Sequence, residues 1–257
     1  MKVITYWETA PGRTMPPYIA LGIATMQIAL GDSFLLLTKN NASDFIGNEY
    51  LNKKWVFKPN SKDPNPEITS IVAKSDYLRM AYIAKHGGFW IDADTIIFKD
   101  FRESLNTSDE SLHWHSEQFF GANAGNKILR AASEKALSDE IQVWGNPGGI
   151  KDLVQQHQVD VKPIPFKLIN PGYNPTYGYG NCKILLDTNL PVSEFLTNGE
   201  AKLMKLYNTA FRPENVGEMT LTQFFESKTL LSRIFLIIND SPDFWMEMTN
   251  NIIQQHG

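Results

Sequence analysis

The side chains best placed to do chemistry lie in the stretch Ala73–Asp100, AKSDYLRMAYIAKHGGFWIDADTIIFKD. Asp92 and Asp94, separated only by Ala93, close a short apolar run, Phe89–Ile91. Two carboxylates facing a core unpaired would be costly. At the carboxyl edge of a sheet, both can instead turn toward a divalent cation, and all-oxygen ligation suits Mg2+ or Mn2+. Upstream, Ser75, Asp76 and Arg79 fall on a segment with helical periodicity that stops at His86-Gly87-Gly88. Asp76 and Arg79 are one helical turn apart and within pairing reach. Taken alone, they read as a surface ion pair worth little to stability.

Three chemistries compete for Asp92-Ala93-Asp94. The plainest is a solvated acidic turn, since an isolated D-x-D tripeptide is a weak signal. A second is phosphoryl transfer, with Asp92 as the attacking nucleophile. Ile91–Thr95 (IDADT) is similar to the signature of haloacid-dehalogenase-like phosphatases, and Phe235–Asp243 (FLIINDSPD) offers a late strand followed by acids. That signature usually sits on a first strand, whereas about ninety residues of α/β chain precede it here, counted along the sequence. The third begins from the combination Ser75-Asp76-x-x-Arg79, Gly87-Gly88, Trp90 and Asp92-x-Asp94. Several residue types fixed at set spacings over some twenty residues are far more specific than D-x-D alone.

That combination resembles the DXD-type retaining glycosyltransferases of the capsular-polysaccharide-synthesis, or sugar-binding-region, family. The family is related to yeast-type mannosyltransferases and remotely to clostridial glucosylating toxins. The resemblance implies an α/β GT-A (Rossmann-like) fold with a mostly parallel sheet flanked by helices. It implies Mn2+ (or Mg2+) and transfer of a sugar from a nucleotide donor, more simply a UDP-sugar than a GDP-sugar. The acceptor it implies is a glycan or lipid-linked oligosaccharide, in capsular, O-antigen or other surface polysaccharide synthesis. Carried over by position, Asp94 resembles the direct metal ligand and Asp92 the residue that meets ribose or sugar, and the metal through water. Asp76 and Arg79 resemble the pair that grips donor-sugar hydroxyls, with Ser75 and Ala93 beside them; a carboxylate accepts from hydroxyls and a guanidinium offers a fixed fork of donors. Trp7 resembles a nucleobase-stacking tryptophan, and Trp90 a pocket-edge residue or a core one. Leu203–Asn208 (LMKLYN) is similar to a late family element reading His-Leu-Tyr-Asn, with Lys205 in place of the histidine. A charged lysine cannot ligate a metal but can neutralise a diphosphate, and Asn208 retains a carbonyl oxygen for a metal. Asn123, in the small-residue loop Gly121–Asn126, lies where the family places donor-sugar contacts.

Positioning these groups requires a layered α/β framework. Val3–Trp7, Phe34–Leu37, Trp55–Phe57 and Phe89–Ile91 read as strands, with Thr95–Phe98, Ser111–His115 and Gln118–Phe120 extended as well. Helices are expected from Pro16-Pro17 to a Gly31 cap, from Pro66 to His86, over Ile128–Trp144 with Ile141 inward, and over Ile150–Gln158. Val159–Ile169 reads as extended, Pro171–Gly180 as a tyrosine- and glycine-rich loop, Ala201–Tyr207 as strand or short helix, and Leu221–Ile238 as mostly helical. Strands alternating with helices imply a largely parallel sheet, with ligands beyond its carboxyl ends. A single catalytic domain is expected, 1–100 forming a nucleotide-binding half and 101–257 an acceptor half.

Bulk composition agrees with an ordinary globule. The chain has 257 residues, 42% hydrophobic and 20% charged, with net charge −4, which argues against nucleic acid as a partner. Cys182 is the only cysteine, so no intrachain disulfide forms and a reducing, cytoplasmic setting fits. Glu8 interrupts any leader-like apolar run, and Tyr18–Leu30 is too short to span a bilayer. The apolar segment Leu230–Ile238 reads as core, or second as a peripheral docking face on the inner side of the membrane. His113 and His115 lack the spacing of a zinc site.

Overall fold

The computed structural model describes residues 1–56, 66–105, 110–141, 150–211 and 215–256. In chain order the first elements are β1 (Val3–Tyr6), α1 (Pro17–Leu30), β2 (Phe34–Leu37), α2 (Ala42–Ile46), α3 (Pro66–His86), β3 (Gly88–Ile91) and β4 (Thr95–Ile97). There follow β5 (Leu112–Ser116), β6 (Phe119–Ala122), α4 (Lys127–Ser138), α5 (Ile150–Gln156), β7 (Val161–Pro163) and α6 (Val192–Phe195). The last are β8 (Leu203–Lys205), α7 (Asn208–Phe211), α8 (Leu221–Glu226), α9 (Leu230–Ile238) and α10 (Pro242–His256). They form two compact units: Met1–Arg13, Ser33–Asp92 and Leu105–Ile164 make the first, and Thr14–Asp32, Ala93–Ser104 and Pro165–Gly257 the second.

The first unit holds a sheet of order β2-β1-β3-β6-β5-β7. β1 runs parallel to both β2 and β3, and β5 parallel to β7; only β6 is antiparallel to its neighbours. This is the mostly parallel, Rossmann-like arrangement expected, with α3 returning the chain from β2 to β3. The helix α3 packs on β1, β3 and β6, and α2 and α4 pack on α3. The shared core is Ile4, Leu37, Leu78, Ile83, Trp90, Phe120 and Leu129 among others. Such runs of fully buried strand residues are what parallel strands covered by helices require. The helix-to-strand junction depends on Gly87 and Gly88, at φ +71° and +126°, where an added Cβ would meet the Ala124 nitrogen at 2.8 Å and the Lys2 carbonyl at 2.7 Å. Glycine alone tolerates both the backbone angle and the close approach.

The second unit is built on the antiparallel pair β4–β8, in register Thr95↔Lys205 to Ile97↔Leu203. The helix α1 packs on β4 and α10. Its Gly22 lets it close on the strand: a Cβ there would stand 2.9 Å from the Thr95 carbonyl and 3.1 Å from that of Ala93.

Several expectations need correction. Trp55 and Val56 are not strand; Trp55 is buried against the ring of Tyr77, which packs in turn on Tyr50, and its indole N–H donates to the Tyr50 carbonyl, while Phe57 lies outside the described residues. The fourth helix ends at Ser138, where Asp139 turns extended and pairs with Lys135, so Ile141 is exposed, not inward. Val159–Ile169 contains only the short β7 between single turns of 3-10 helix. Leu221–Ile238 is two helices, each capped by a threonine side chain, Thr220 and Thr229, with Lys228 at φ +51° between them. The segment Phe235–Ile238 is therefore helical, which removes the late strand of the phosphatase reading. Leu230, Leu231, Ile234 and Phe235 are core, as read. Among the described residues no helix is long and apolar enough to cross a membrane. Residues 142–149, Trp144 among them, fall outside the described residues.

Candidate functional site

The unit boundary falls inside the tripeptide, between Asp92 and Ala93, so Asp92 belongs to the first unit and Asp94 to the second.

In the first unit, α3 carries Asp76 and Arg79 on its buried face, each only 5% exposed. Their contact, Arg79 Nη2 to Asp76 Oδ1, is 2.5 Å. They are not the solvated surface pair that spacing alone suggests. Burial is the largest influence on Asp76 and pushes its carboxyl up from 3.8 to about 7; Arg79 pulls the other way, while Asp92 and Glu117 add to the rise. Arg79 also stands 3.7 Å, through Nη1, from Asp92 Oδ1. Its Nε is buried with no hydrogen-bond partner among the described residues. A buried guanidinium donor left unmet carries a desolvation cost that an incoming acceptor would relieve.

Asp92 follows the carboxyl end of β3. Its backbone N–H donates to the Gln118 carbonyl at 3.1 Å, and its Oδ1 accepts from Trp90 Nε1 at 2.8 Å. Trp90 is 1% exposed and part of the core, so it orients Asp92 from beneath and is not a pocket edge. Ser75 is half-buried on α3 beside Asp76. Trp7 is half-buried past the end of β1, its backbone N–H on Leu37 and its indole N–H on Thr9 Oγ1. Asn123 needs correction. β6 runs antiparallel to β3, so Ala122 pairs with Gly88 and Phe119 with Ile91. Asn123 thus emerges beside Gly87, at the end of β3 opposite Asp92, about 13 Å of strand away.

Residues not singled out in the sequence lie at the Asp92 end of β3. Glu117 acts on Asp76 and Gln118 on Asp92; an antiparallel return of β6 was the signal needed to find them. Glu8 is another, accepting from Tyr6 Oη and pairing with Lys74 Nζ at 2.5 Å.

In the second unit, Asp94 is engaged on both oxygens. Oδ1 pairs with the Lys205 ammonium, and Oδ2 accepts the Asn208 backbone N–H at 2.7 Å. Leu206 N–H donates to the Asp94 carbonyl at 2.7 Å. Asn208 Oδ1 accepts from Tyr18 Oη. Tyr207, at φ +59°, is a bulky residue in the left-handed region, packed edge-on to Tyr179 and tilted against Tyr177. Tyr177 is itself 7% exposed and donates to the Lys205 carbonyl at 2.9 Å. The tyrosine loop thus braces β8; of Tyr173, Tyr177 and Tyr179, only Tyr179 stands exposed.

These contacts test the metal expectation. A metal on Asp94 would take an oxygen already holding an ammonium, and a metal on Asn208 an oxygen already accepting a hydroxyl. Among the described residues, no group of three or more His, Cys, Asp or Glu is placed to hold an ion. As arranged, the Asp94–Lys205–Asn208 cluster does not fit a divalent cation.

Residues 25–112, about a third of the chain, match the family described as the glycosyltransferase sugar-binding region containing DXD motif. That family generally binds a divalent metal. No curated protein matches the chain. Among solved structures, the apo-form glycosyltransferase GlyE of Streptococcus pneumoniae TIGR4 is 12% identical with a TM-score of 0.48 over 99% of this chain and 64% of that one. A second GlyE structure gives 11%, 0.45, 99% and 63%, and the PaToxG glycosyltransferase 14%, 0.36, 98% and 84%. At these identities and scores the likenesses are too distant to carry substrate or chemistry to this chain, which spans 64% of the length of the first. Residues 25–112 match that family's model, and the D-x-D within them is Asp92-Ala93-Asp94.

Proposed function

We propose that the chain is a retaining glycosyltransferase that moves a sugar from a nucleotide donor, a UDP-sugar, to a glycan or lipid-linked acceptor in the synthesis of a bacterial surface polysaccharide. It acts in the cytoplasm, with peripheral contact to the inner face of the membrane where a lipid-linked acceptor resides. The observation that carries the reading is the buried Asp76–Arg79 pair with its unmet Nε, on a helix that leads into the DXD strand. A carboxylate accepting from sugar hydroxyls beside a guanidinium donating to them is a compact carbohydrate grip. Trp7 stacks on the base. In the reaction the bond from the anomeric carbon to the diphosphate oxygen breaks and its electron pair leaves with the diphosphate. The acceptor oxygen bonds to that carbon from the same face, and its proton passes to the departing phosphate. The Mn2+ or Mg2+ that the resemblance implies would stabilise that leaving charge; the Lys205 ammonium on Asp94 stands against it.

The test is turnover with a panel of UDP- and GDP-sugars, following free nucleoside diphosphate and reading the product's anomeric configuration by NMR. Release from one UDP-sugar, lost in Asp76→Asn with the fold unchanged by circular dichroism, is the expected result. Phosphate release from simple phosphate esters with trapping at Asp92 would support the phosphatase reading instead.

A further inference from the structure

Resting on the transferase reading above, we propose that Glu8, Lys74 and Tyr50 read the edge of the donor's nucleobase and select uracil. Glu8 Oε1 accepts the ring N–H, and the Lys74 ammonium and Tyr50 hydroxyl donate to the carbonyls beside it. All three residues belong to the first unit.

The first support is place. The strand β1 lies between its parallel neighbours β2 and β3, and the chain leaves it for β2 on one side before crossing over to β3 on the other. Where strand order reverses in this way, a crevice opens beyond the carboxyl ends, and nucleotides lodge there. Glu8 stands two residues past the end of β1, and Lys74 reaches it from α3.

The second support is the way Glu8 is held. Tyr6 Oη donates to Glu8 Oε2, and Lys74 Nζ meets the same oxygen at 2.5 Å. Both contacts fall on one oxygen, so Oε1 is the acceptor that faces away from them. The two side chains are within reach of a ligand, Glu8 at 15% exposed and Lys74 at 19%.

The third support is Tyr50. It is 2% exposed, and its Oη is buried with no hydrogen-bond partner among the described residues. Its ring is fixed by Tyr77 of α3, with centroids 5.9 Å apart, and its carbonyl by the Trp55 indole N–H. Burial first, then the negative charges of Glu8 and Asp44, raise the pKa of this hydroxyl, so it keeps its proton and remains a donor. A buried donor left unmet is costly, and a carbonyl brought against it relieves that cost. An ion pair that only tied β1 to α3 would have no use for such a hydroxyl.

The three residues present one acceptor with donors around it. Uracil presents the converse, a ring N–H between two carbonyls. Cytosine carries a lone pair on that ring nitrogen, which would face the carboxylate. Guanine sets an amino donor beside its ring N–H, where a donor side chain would oppose it. Discrimination is strong in such a site, because the wrong base leaves its polar groups unpaired.

The deciding experiment is calorimetric titration of UDP, CDP, GDP and N3-methyl-UDP into the full chain, with Mn2+ present throughout. UDP should bind, with CDP and N3-methyl-UDP at least about tenfold weaker, the loss of one charge-assisted contact. In Glu8→Gln the UDP-to-CDP ratio should fall below about threefold, since a carboxamide can accept from a ring N–H or donate to a ring nitrogen. Equal affinity for UDP and N3-methyl-UDP in the wild type, a comparison that needs no variant to fold, would overturn the proposal and leave the transferase reading standing. A wild-type UDP-to-CDP ratio in Glu8→Gln, or GDP bound in preference to UDP, would overturn it too. Binding of no nucleotide under any condition would overturn the transferase reading, and the base-reading proposal with it.

Discussion

Asp92 and Asp94 are two residues apart in the chain and live under different physics. Asp92 belongs to the unit with the six-stranded sheet, held by a tryptophan N–H from the core and faced by Arg79. Asp94 belongs to the unit with the two-stranded pair, held by an ammonium and a backbone N–H. Beside Asp92, the Asp76–Arg79 pair is deeply buried, and Asp92 and Glu117 press on Asp76 while the Arg79 guanidinium offsets them. Beside Asp94 the carboxylate meets the Lys205 ammonium and a backbone N–H, the two side chains 12% and 16% exposed. A buried guanidinium with an unmet donor carries a desolvation cost, whereas an ammonium held on a carboxylate fixes a charge in space.

The sharpest way to break this comparison is to remove each cation in turn. Arg79→Met should cost about 3–5 kcal/mol, because it strands a buried carboxylate, whereas Lys205→Met should cost about 1–2 kcal/mol, since Asp94 keeps its backbone donor and some water. Urea unfolding at pH 8 reads both; equal losses would mean the two aspartates sit in equivalent surroundings. At pH 6 the Arg79→Met loss should shrink, as Asp76 takes up a proton.

Close packing provides a second test, confined to the Asp94 side. Gly22→Ala would push a methyl group against the Thr95 and Ala93 carbonyls, costing about 1–3 kcal/mol by overpacking. It should depress turnover more than it shifts the titration of Asp76. A variant that left turnover untouched while moving that titration would invert the assignment.

Titration separates stability from function at Asp76. Its folded value is raised from 3.8 to about 7, so the folded state keeps the proton over a range where the unfolded chain has lost it. The contribution of this group to stability is full below about 4 and falls as pH rises through about 7. Grip on sugar hydroxyls should run the opposite way, with donor affinity rising as the carboxylate forms. A plot of KM against pH should therefore show a break near 7 that Asp76→Asn abolishes. A flat profile in the wild type would remove Asp76 from the sugar site.

Much of this was legible in the chain. Helix-length segments bounded by Pro16-Pro17 and Gly31, or by Pro66 and Gly87-Gly88, located α1 and α3 to within a residue or two, and the apolar runs marked β1, β2 and β3. What stayed hidden was long-range. The ion pair of Asp94 with Lys205 spans 111 positions and rests on a strand register that no local pattern encodes. Whether Asp76 and Arg79 were surface or core could not be read from their spacing, since burial depends on α3 packing against both the sheet and α4. Trp55 looked like a strand because aromatic and β-branched residues favour pleated surfaces, yet its ring was committed to a tyrosine cluster. The break in Leu221–Ile238 depended on a lysine adopting a left-handed angle, which composition does not announce.

The antiparallel strand β6 supplies the smallest effect and the finest discrimination. A loop that follows a DXD strand's neighbour lies at the sugar end only if that neighbour runs parallel; here β6 reverses, carrying Asn123 to the far end of β3 and Glu117 to the near one. Asn123→Ala should then change turnover by less than about twofold, as surface substitutions away from a site do. Glu117→Gln should lower the Asp76 titration, because it removes one of the charges holding that carboxyl protonated. The KM break should move to lower pH in Glu117→Gln and stay in place in Asn123→Ala. If instead Asn123→Ala proves the more damaging of the two, the donor sugar lies at the Gly87 end of the strand, and the buried pair on α3 is structural.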